Sequence, residues 1–288
     1  MTVSQPHSSG AERASEGVLR VLFGTFMAIT AAAVLLYSAE WFAGLVVILA
    51  LFAAREWHRL VRSPLMRELA EQRPIHVQTV ITAIAVALSV FLLLEEFLLP
   101  ALGVLAAGAL ASFFFAKARD DNPLWHAGGV LYLGLPALAL VALRIAPQGA
   151  LIVLGMFLIV WATDTGALVF GKLIGGARIA PRLSPGKTWA GTIGGSICGA
   201  LMFAIYIAVL GFDVVTGTIF AFVFSFVAHG GDLLESMAKR RFGTKDSGSI
   251  IPGHGGVLDR MDSTFAAAVM LAILVFGIGF NPLFGGQS

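Results

Sequence analysis

Apolar stretches of about 20 residues recur along almost the whole chain, and no other feature narrows its possible folds so far. Inside hydrocarbon a backbone must satisfy its own N–H and C=O groups, so such stretches become membrane-spanning helices. The composition agrees, with 58% hydrophobic residues, 12% charged residues and a mean hydropathy of +0.88. Soluble domains run at roughly 45–50% apolar and about 25% charged. The chain therefore reads as an all-α, polytopic integral membrane protein.

Nine spans are expected, near 18–38, 41–54, 77–94, 97–116, 128–146, 149–171, 188–210, 215–236 and 263–280. The second has the shortest clean apolar run, ending before Arg55. Residues 1–17 are polar and mixed in charge, without the ordered regions of a cleaved signal, and read as a disordered cytoplasmic tail. Residues 18–146 then form N-terminal membrane helices, and 147–288 form C-terminal membrane helices, the half that holds the candidate site residues taken up below. Cys198 stands alone in an apolar segment, which excludes an intrachain disulfide framework and a cysteine zinc site.

Connections alternate between very short ("SAE", "EEF", "APQ", "GFD") and long (55–76, 117–127, 172–187, 237–262), so the long ones share one aqueous side. Of the 19 Lys and Arg residues, all but Arg144 fall on that side, together with the N-terminus. The positive-inside tendency makes this side cytoplasmic and sends the C-terminus outward. An even number of spans would spoil the segregation.

Acids then mark a place. Asp164 in "WATDTGALVFGK" and Asp232 in "HGGDLLES" lie near the cytoplasmic ends of the sixth and eighth spans, and Asp259 and Asp262 open the ninth. A carboxylate within a span costs about 2.5–3.5 kcal/mol at its centre, so such acids face a cavity, a partner or an ion. Asp259 and Asp262 are spaced i, i+3 and share a helix face. Hard oxygen ligands with few histidines suit Mg²⁺, which is held by one or two carboxylates plus substrate phosphates. Plainer roles stand beside this one: helix entry for Asp262, and pairing with a neighbouring Lys or Arg for Asp232. His229 shares a stripe with Asp232 and Ser236, with Glu235 near its edge, and reads as a buried hydrogen-bonding histidine.

Cations surround the acids. "SMAKRRFGTKD" carries Lys239, Arg240, Arg241 and Lys245, suited to anionic headgroups or to substrate phosphates. Gly253, Gly255 and Gly256 around His254 allow backbone N–H groups to turn toward an anion. "SPGKTWAG" ends like a phosphate-binding P-loop, but Pro181 stands where the first glycine belongs and no strand precedes it. Its Ser184, Lys187, Thr188 and Trp189 still offer a seat for a base and its phosphates, or an interfacial Trp–Lys boundary.

The motif Ser236, Lys239-Arg240, Lys245-Asp246, Pro252-Gly253-His254-Gly255-Gly256 and Asp259-Arg260-Met261-Asp262 resembles the signature of the CDP-diacylglycerol synthase (phosphatidate cytidylyltransferase) family. The likeness extends upstream through "WATDTGALVFGK" and "SPGKTWAG", covering roughly residues 155–265. Two positions depart from it: Ala238, where a larger apolar residue is expected, and Ala190, where a polar one is usual.

The resemblance implies Mg²⁺-dependent transfer of CMP from CTP to phosphatidic acid, with K⁺ as a possible second cation. It implies Asp232 and Asp259 as principal metal ligands, supported by Asp262, Asp164 and Asp246. Lys187, Lys239, Arg240, Lys245, His254 and Arg260 would contact phosphates, and Ser184, Thr188 and Trp189 would help hold the nucleotide. A homodimer in contact with membrane lipids is implied, with no nucleic-acid partner. The expected location is a bacterial inner membrane, with the site facing the cytoplasm.

Two other readings fit less well. A CDP-alcohol phosphotransferase needs an Asp-Gly followed shortly by Ala-Arg, whereas Asp262 is followed by Ser263. A secondary transporter would place its acids near the bilayer midplane instead of at one face.

Overall fold

The computed structural model describes residues 10–63, 65–66, 76–248 and 255–283, with side chains from residue 24 onward. Nine α-helices follow one another through these residues: α1 (Gly10–Tyr37), α2 (Ala39–Leu60), α3 (Val77–Leu94), α4 (Leu98–Lys117), α5 (Pro123–Ile145), α6 (Gly149–Leu173), α7 (Trp189–Leu210), α8 (Val214–Arg241) and α9 (Leu258–Ala272). α9 continues as a π-helical stretch, Ile273–Gly277. Seven of these helices, α3 to α9, are long and apolar enough to cross a membrane. α1 contributes a shorter apolar segment, Gly24–Tyr37, so of the nine expected spans seven are met by helices of spanning length and apolarity among the described residues. The chain is an all-α polytopic membrane protein.

Three expectations change in detail. α1 starts at Gly10, so helix covers part of the segment 1–17 read as a tail. The loop 172–187 is not wholly irregular: β1 (Arg178–Ala180) and β2 (Ser184–Thr188) pair antiparallel as a small hairpin. α8 runs on to Arg241, because hydropathy marks where lipid ends and not where helical hydrogen bonding ends. Lys239 and Arg240 therefore stand on the last turn of a helix, where cations also suit the dipole.

Helix termini meet as the alternating loop lengths require. Arg144 Nε, at the end of α5, donates to Leu35 O near the end of α1 at 2.7 Å. At the opposite end of the bundle, α2, α3 and α5 are joined by a buried polar chain. His58 Nε2 lies 2.7 Å from Thr82 Oγ1, the two Nδ1 atoms of His58 and His126 are 2.8 Å apart, and His126 Nε2 lies 2.9 Å from Asp121 Oδ2. Asp121 also accepts from the backbone N–H groups of Ser63 (2.8 Å) and Asn122 (2.9 Å). Burial pushes the Asp121 carboxyl up, but these hydrogen bonds outweigh it and hold the group below the usual aspartate range. The stability it lends is full above the ordinary aspartate pKa and is lost as pH falls through the lowered value. Asp121→Ala is expected to destabilise the protein by about 1.5–3 kcal/mol, the worth of hydrogen bonds to a charged group. Thermal unfolding in detergent near neutral pH checks this.

Small residues set the C-terminal packing, since helices in lipid associate through close backbone approach. α6 and α7 lie against each other along a glycine-rich seam: a Cβ on Gly195 would come within 2.5 Å of Thr163 O. α9 packs against α8, α5, α6 and α2, which puts its N-terminus at the meeting point of both halves of the chain.

Candidate active site

The site grows out of four helix ends and the hairpin. On α8, Asp232, Ser236 and Lys239 follow an i, i+4, i+7 stripe, and Ser236 Oγ donates to Asp232 Oδ1 at 3.3 Å. Asp232 is about one-third exposed, and Lys187 Nζ, from the β2 strand, lies 2.6 Å from its Oδ2. The same ammonium reaches His229 O at 3.4 Å. The simpler reading of Asp232, pairing with a nearby lysine, is thus realised, and its remaining exposure leaves room for more.

A cavity of about 210 Å³ opens in front of this pair, lined by Leu183, Ser184, Asp232, Ser236, Lys239, Arg240, Lys245 and Asp246. It mixes two carboxylates and two hydroxyls with three cations. Arg240 is oriented by donation from its Nε to Leu183 O at 3.1 Å, which ties α8 to the hairpin. Four residues named from sequence for nucleotide or phosphate contact therefore share one cavity, Ser184, Lys239, Arg240 and Lys245, and a fifth, Lys187, is paired with its Asp232.

Asp259 sits on the first turn of α9 and is mostly buried. Lys239 Nζ is 2.8 Å from its Oδ1 and 3.1 Å from Glu235 Oε1, so one ammonium bridges two acids. Asp259 also accepts the backbone N–H of Gly256 at 3.0 Å and that of Ser247 at 3.1 Å. It therefore organises the segment before α9 as well as contributing charge. Asp262, one turn on, is buried and accepts from the Ser263 N–H at 2.7 Å. Ser263 Oγ donates to Asp164 Oδ1 at 3.5 Å, which brings the sixth-helix acid beside the ninth helix.

Other residues named from sequence have different surroundings. Thr188 is the N-cap of α7, its Oγ1 accepting from the Gly191 N–H at 3.1 Å. Trp189 is half exposed at the start of that helix. Arg260 is exposed on the first turn of α9. His254, with the expected glycine nest around it, lies outside the described residues. His229 is buried, with Nε2 3.3 Å from Thr192 O, as a hydrogen-bonding histidine should be.

Two further acids take part, Glu235, which the sequence placed only at the edge of the Asp232 stripe, and Glu56, which it did not single out. Glu235 is fully buried beside Lys239; its i, i+4 spacing to that lysine was the available signal. Glu56, on α2, accepts from the backbone N–H groups of Val257 and Leu258. The signal there was an acid in "AREWHRL", which marked a span boundary and nothing more.

The donor set fits a hard cation. Asp232, Ser236 and Asp246 present oxygen atoms to the cavity, with Asp259 behind Lys239. Among the described residues no three acidic, His or Cys side chains converge closely enough to hold a metal by themselves. Mg²⁺ commonly takes its remaining ligands from water and substrate phosphates, so an arrangement with few protein ligands suits it.

Comparisons with known proteins bear on the whole chain. Residues 18–277 match the family model described as "Cytidylyltransferase family". A phosphatidate cytidylyltransferase of Brucella suis biovar 1 (strain 1330) is 41% identical over 186 residues, covering 63% of this chain and 67% of that protein. Proteins of the same name are 40% identical over 151 residues in Staphylococcus saprophyticus (52% of this chain, 57% of that one) and 42% identical over 135 residues in Haemophilus influenzae (45% and 47%). The resemblance drawn from the motif at 236–262 is borne out: this chain belongs to the cytidylyltransferase family.

Proposed function

We propose that this protein is a CTP:phosphatidate cytidylyltransferase, making CDP-diacylglycerol and pyrophosphate for phospholipid synthesis. The observation that carries this reading is the mixed cavity at the end of α8, where Asp232 and Asp246 face Lys239, Arg240 and Lys245. Family membership and the names of the relatives support it.

In this reaction an oxygen of the lipid phosphate attacks the α-phosphorus of CTP. A P–O bond forms to the lipid, and the bond to the bridging oxygen of the β-phosphate breaks, its electrons leaving with pyrophosphate. The nucleophile is already an anion, so no strong base is needed. The obstacle is bringing two polyanions together in line, which is a problem of orientation and charge. Lys239, Arg240 and Lys245 would hold the phosphates, with His254 and Arg260 as further contacts. Lys187 would shift between Asp232 and a phosphate oxygen. Ser184, Thr188 and Trp189 lie where the hairpin enters α7 and would border the nucleotide.

Asp232 and Asp259 would be the principal holders of Mg²⁺, with Asp164, Asp246 and Asp262 in support. The metal would neutralise charge on the transferring group and the leaving pyrophosphate. K⁺ is proposed as a second cation. The distribution of Lys and Arg supports a cytoplasmic site in a bacterial inner membrane, where CTP is available and phosphatidic acid arrives from the bilayer. A homodimer is proposed on family grounds alone.

Purified full-length protein in mixed micelles should convert CTP and phosphatidic acid to CDP-diacylglycerol when Mg²⁺ is present, and chelation with EDTA should stop it. Absence of product under conditions that support a related enzyme would overturn the reading.

A further inference from the structure

We infer that Glu56, on α2, is a positioning residue for the aspartates of α9. This rests on the activity proposed above. The first turn of a helix carries N–H groups without intrahelical partners, usually met by a local Ser, Thr, Asp or Asn cap. α9 has no such cap: Val257 precedes it with helical backbone angles and no side-chain hydrogen bond. The partner comes from about 200 residues away. Glu56 Oε1 accepts from the Val257 N–H at 3.1 Å, and its Oε2 accepts from the Leu258 N–H at 2.8 Å. Ser247 Oγ donates to the same Oε2 at 3.3 Å.

The carboxylate is built in tightly. Glu56 is 3% exposed, and Val257 and Leu258 are buried with it. A Cβ on Gly256 would come within 2.6 Å of Glu56 Oε2, and one on Gly248 within 2.5 Å of Oε1, so a side chain at either position would have to displace the carboxylate. Ser247 on one side and Val257 and Leu258 on the other are therefore all bonded to one side chain. A negative charge at a helix N-terminus is favoured by the backbone dipole, which makes a carboxylate a better occupant than a neutral amide.

The geometry links this clamp to the site. Asp259 is the residue after Leu258, and its carboxylate accepts from Ser247 N–H and Gly256 N–H, neighbours of the groups that Glu56 holds. Glu56 thus sets the rotation and height at which α9 presents Asp259 to Lys239, and Asp262 one turn further on. A site held loosely by its supporting groups loses rate before it loses fold.

The test compares full-length wild type with Glu56→Gln, whose amide accepts from only one of the two N–H groups. Hydrogen exchange of peptides covering 255–262 should become faster in Glu56→Gln. The turnover number should fall by about 10–100-fold, the usual cost of losing a residue that supports metal ligands. The half-saturating Mg²⁺ concentration should rise, while KM for CTP changes less than about threefold. If Glu56→Gln does not fold, Ser247→Ala, which removes only the third hydrogen bond, should shift exchange and Mg²⁺ dependence in the same direction by less. A folded Glu56→Gln with wild-type turnover and Mg²⁺ dependence, differing only in thermal midpoint, would overturn the inference and leave a structural brace. An inactive wild type would instead remove the activity on which it rests.

Discussion

Asp232→Asn is expected to cut the rate of CDP-diacylglycerol formation by at least about 10²–10³-fold, the scale for removing one electrostatic contact from a transition state. The substitution preserves size and leaves an acceptor for Ser236 Oγ, which donates to Oδ1 at 3.3 Å. What it removes is the charge that faces the cavity and pairs with Lys187 at 2.6 Å. Because Asp232 is one-third exposed, that pair is screened by solvent and contributes only about 0.2–1 kcal/mol to stability. The variant should therefore fold with a thermal midpoint close to wild type while turning over very slowly. Radiolabelled CTP incorporation and thermal unfolding in the same detergent separate the two effects. Retained turnover would refute Asp232 as a principal metal holder.

Gly231→Ala and Gly230→Ala should differ sharply although the residues are adjacent. Both stand immediately before Asp232, and the lack of a Cβ at either permits close approach of a ligand or backbone. The structure separates them. A Cβ on Gly231 would come within 2.5 Å of Asp262 O and 2.7 Å of the Ala266 side chain, so α8 and α9 would have to move apart. A Cβ on Gly230 meets nothing within 4 Å. Overpacking of a close contact costs typically about 1–3 kcal/mol, and here it also separates Asp232 from the acids of α9. A misplacement of about 1 Å near reacting groups can cost about 10²-fold in rate. Gly231→Ala should lose stability and most of its activity, whereas Gly230→Ala should keep both, with the small gain alanine brings to a helix. Parallel activity and unfolding measurements decide it; equal behaviour of the two variants would show that the α8–α9 contact yields easily.

Much of this molecule was legible in one dimension. Hydropathy located the seven helices long and apolar enough to cross a membrane, because burial in lipid requires long apolar runs, and such runs are a property of sequence alone. Lys and Arg placement gathered the long connections at one end, and the observed contacts between helix ends agree with that grouping. Residues of the motif from Ser236 to Asp262 come together in the fold: Ser236, Lys239, Arg240, Lys245 and Asp246 line the same cavity as Asp232.

Helix limits were less legible. Asp232, Ser236 and Lys239 share a stripe only because α8 continues past its apolar segment to Arg241. The hairpin at 178–188 was invisible because its strands, three and five residues long, carry no clear alternation.

Sequence alone therefore determined the class of fold, the positions of the long apolar helices and the residue types available for phosphate and cation chemistry. Tertiary structure decided the pairings: Lys187 with Asp232, Lys239 with Asp259 and Glu235, Ser263 with Asp164, and Glu56 with the start of α9. The reason is physical. Spanning a membrane depends on sums over neighbouring residues, whereas a hydrogen bond depends on a few tenths of an ångström between groups that the chain brings together from far apart.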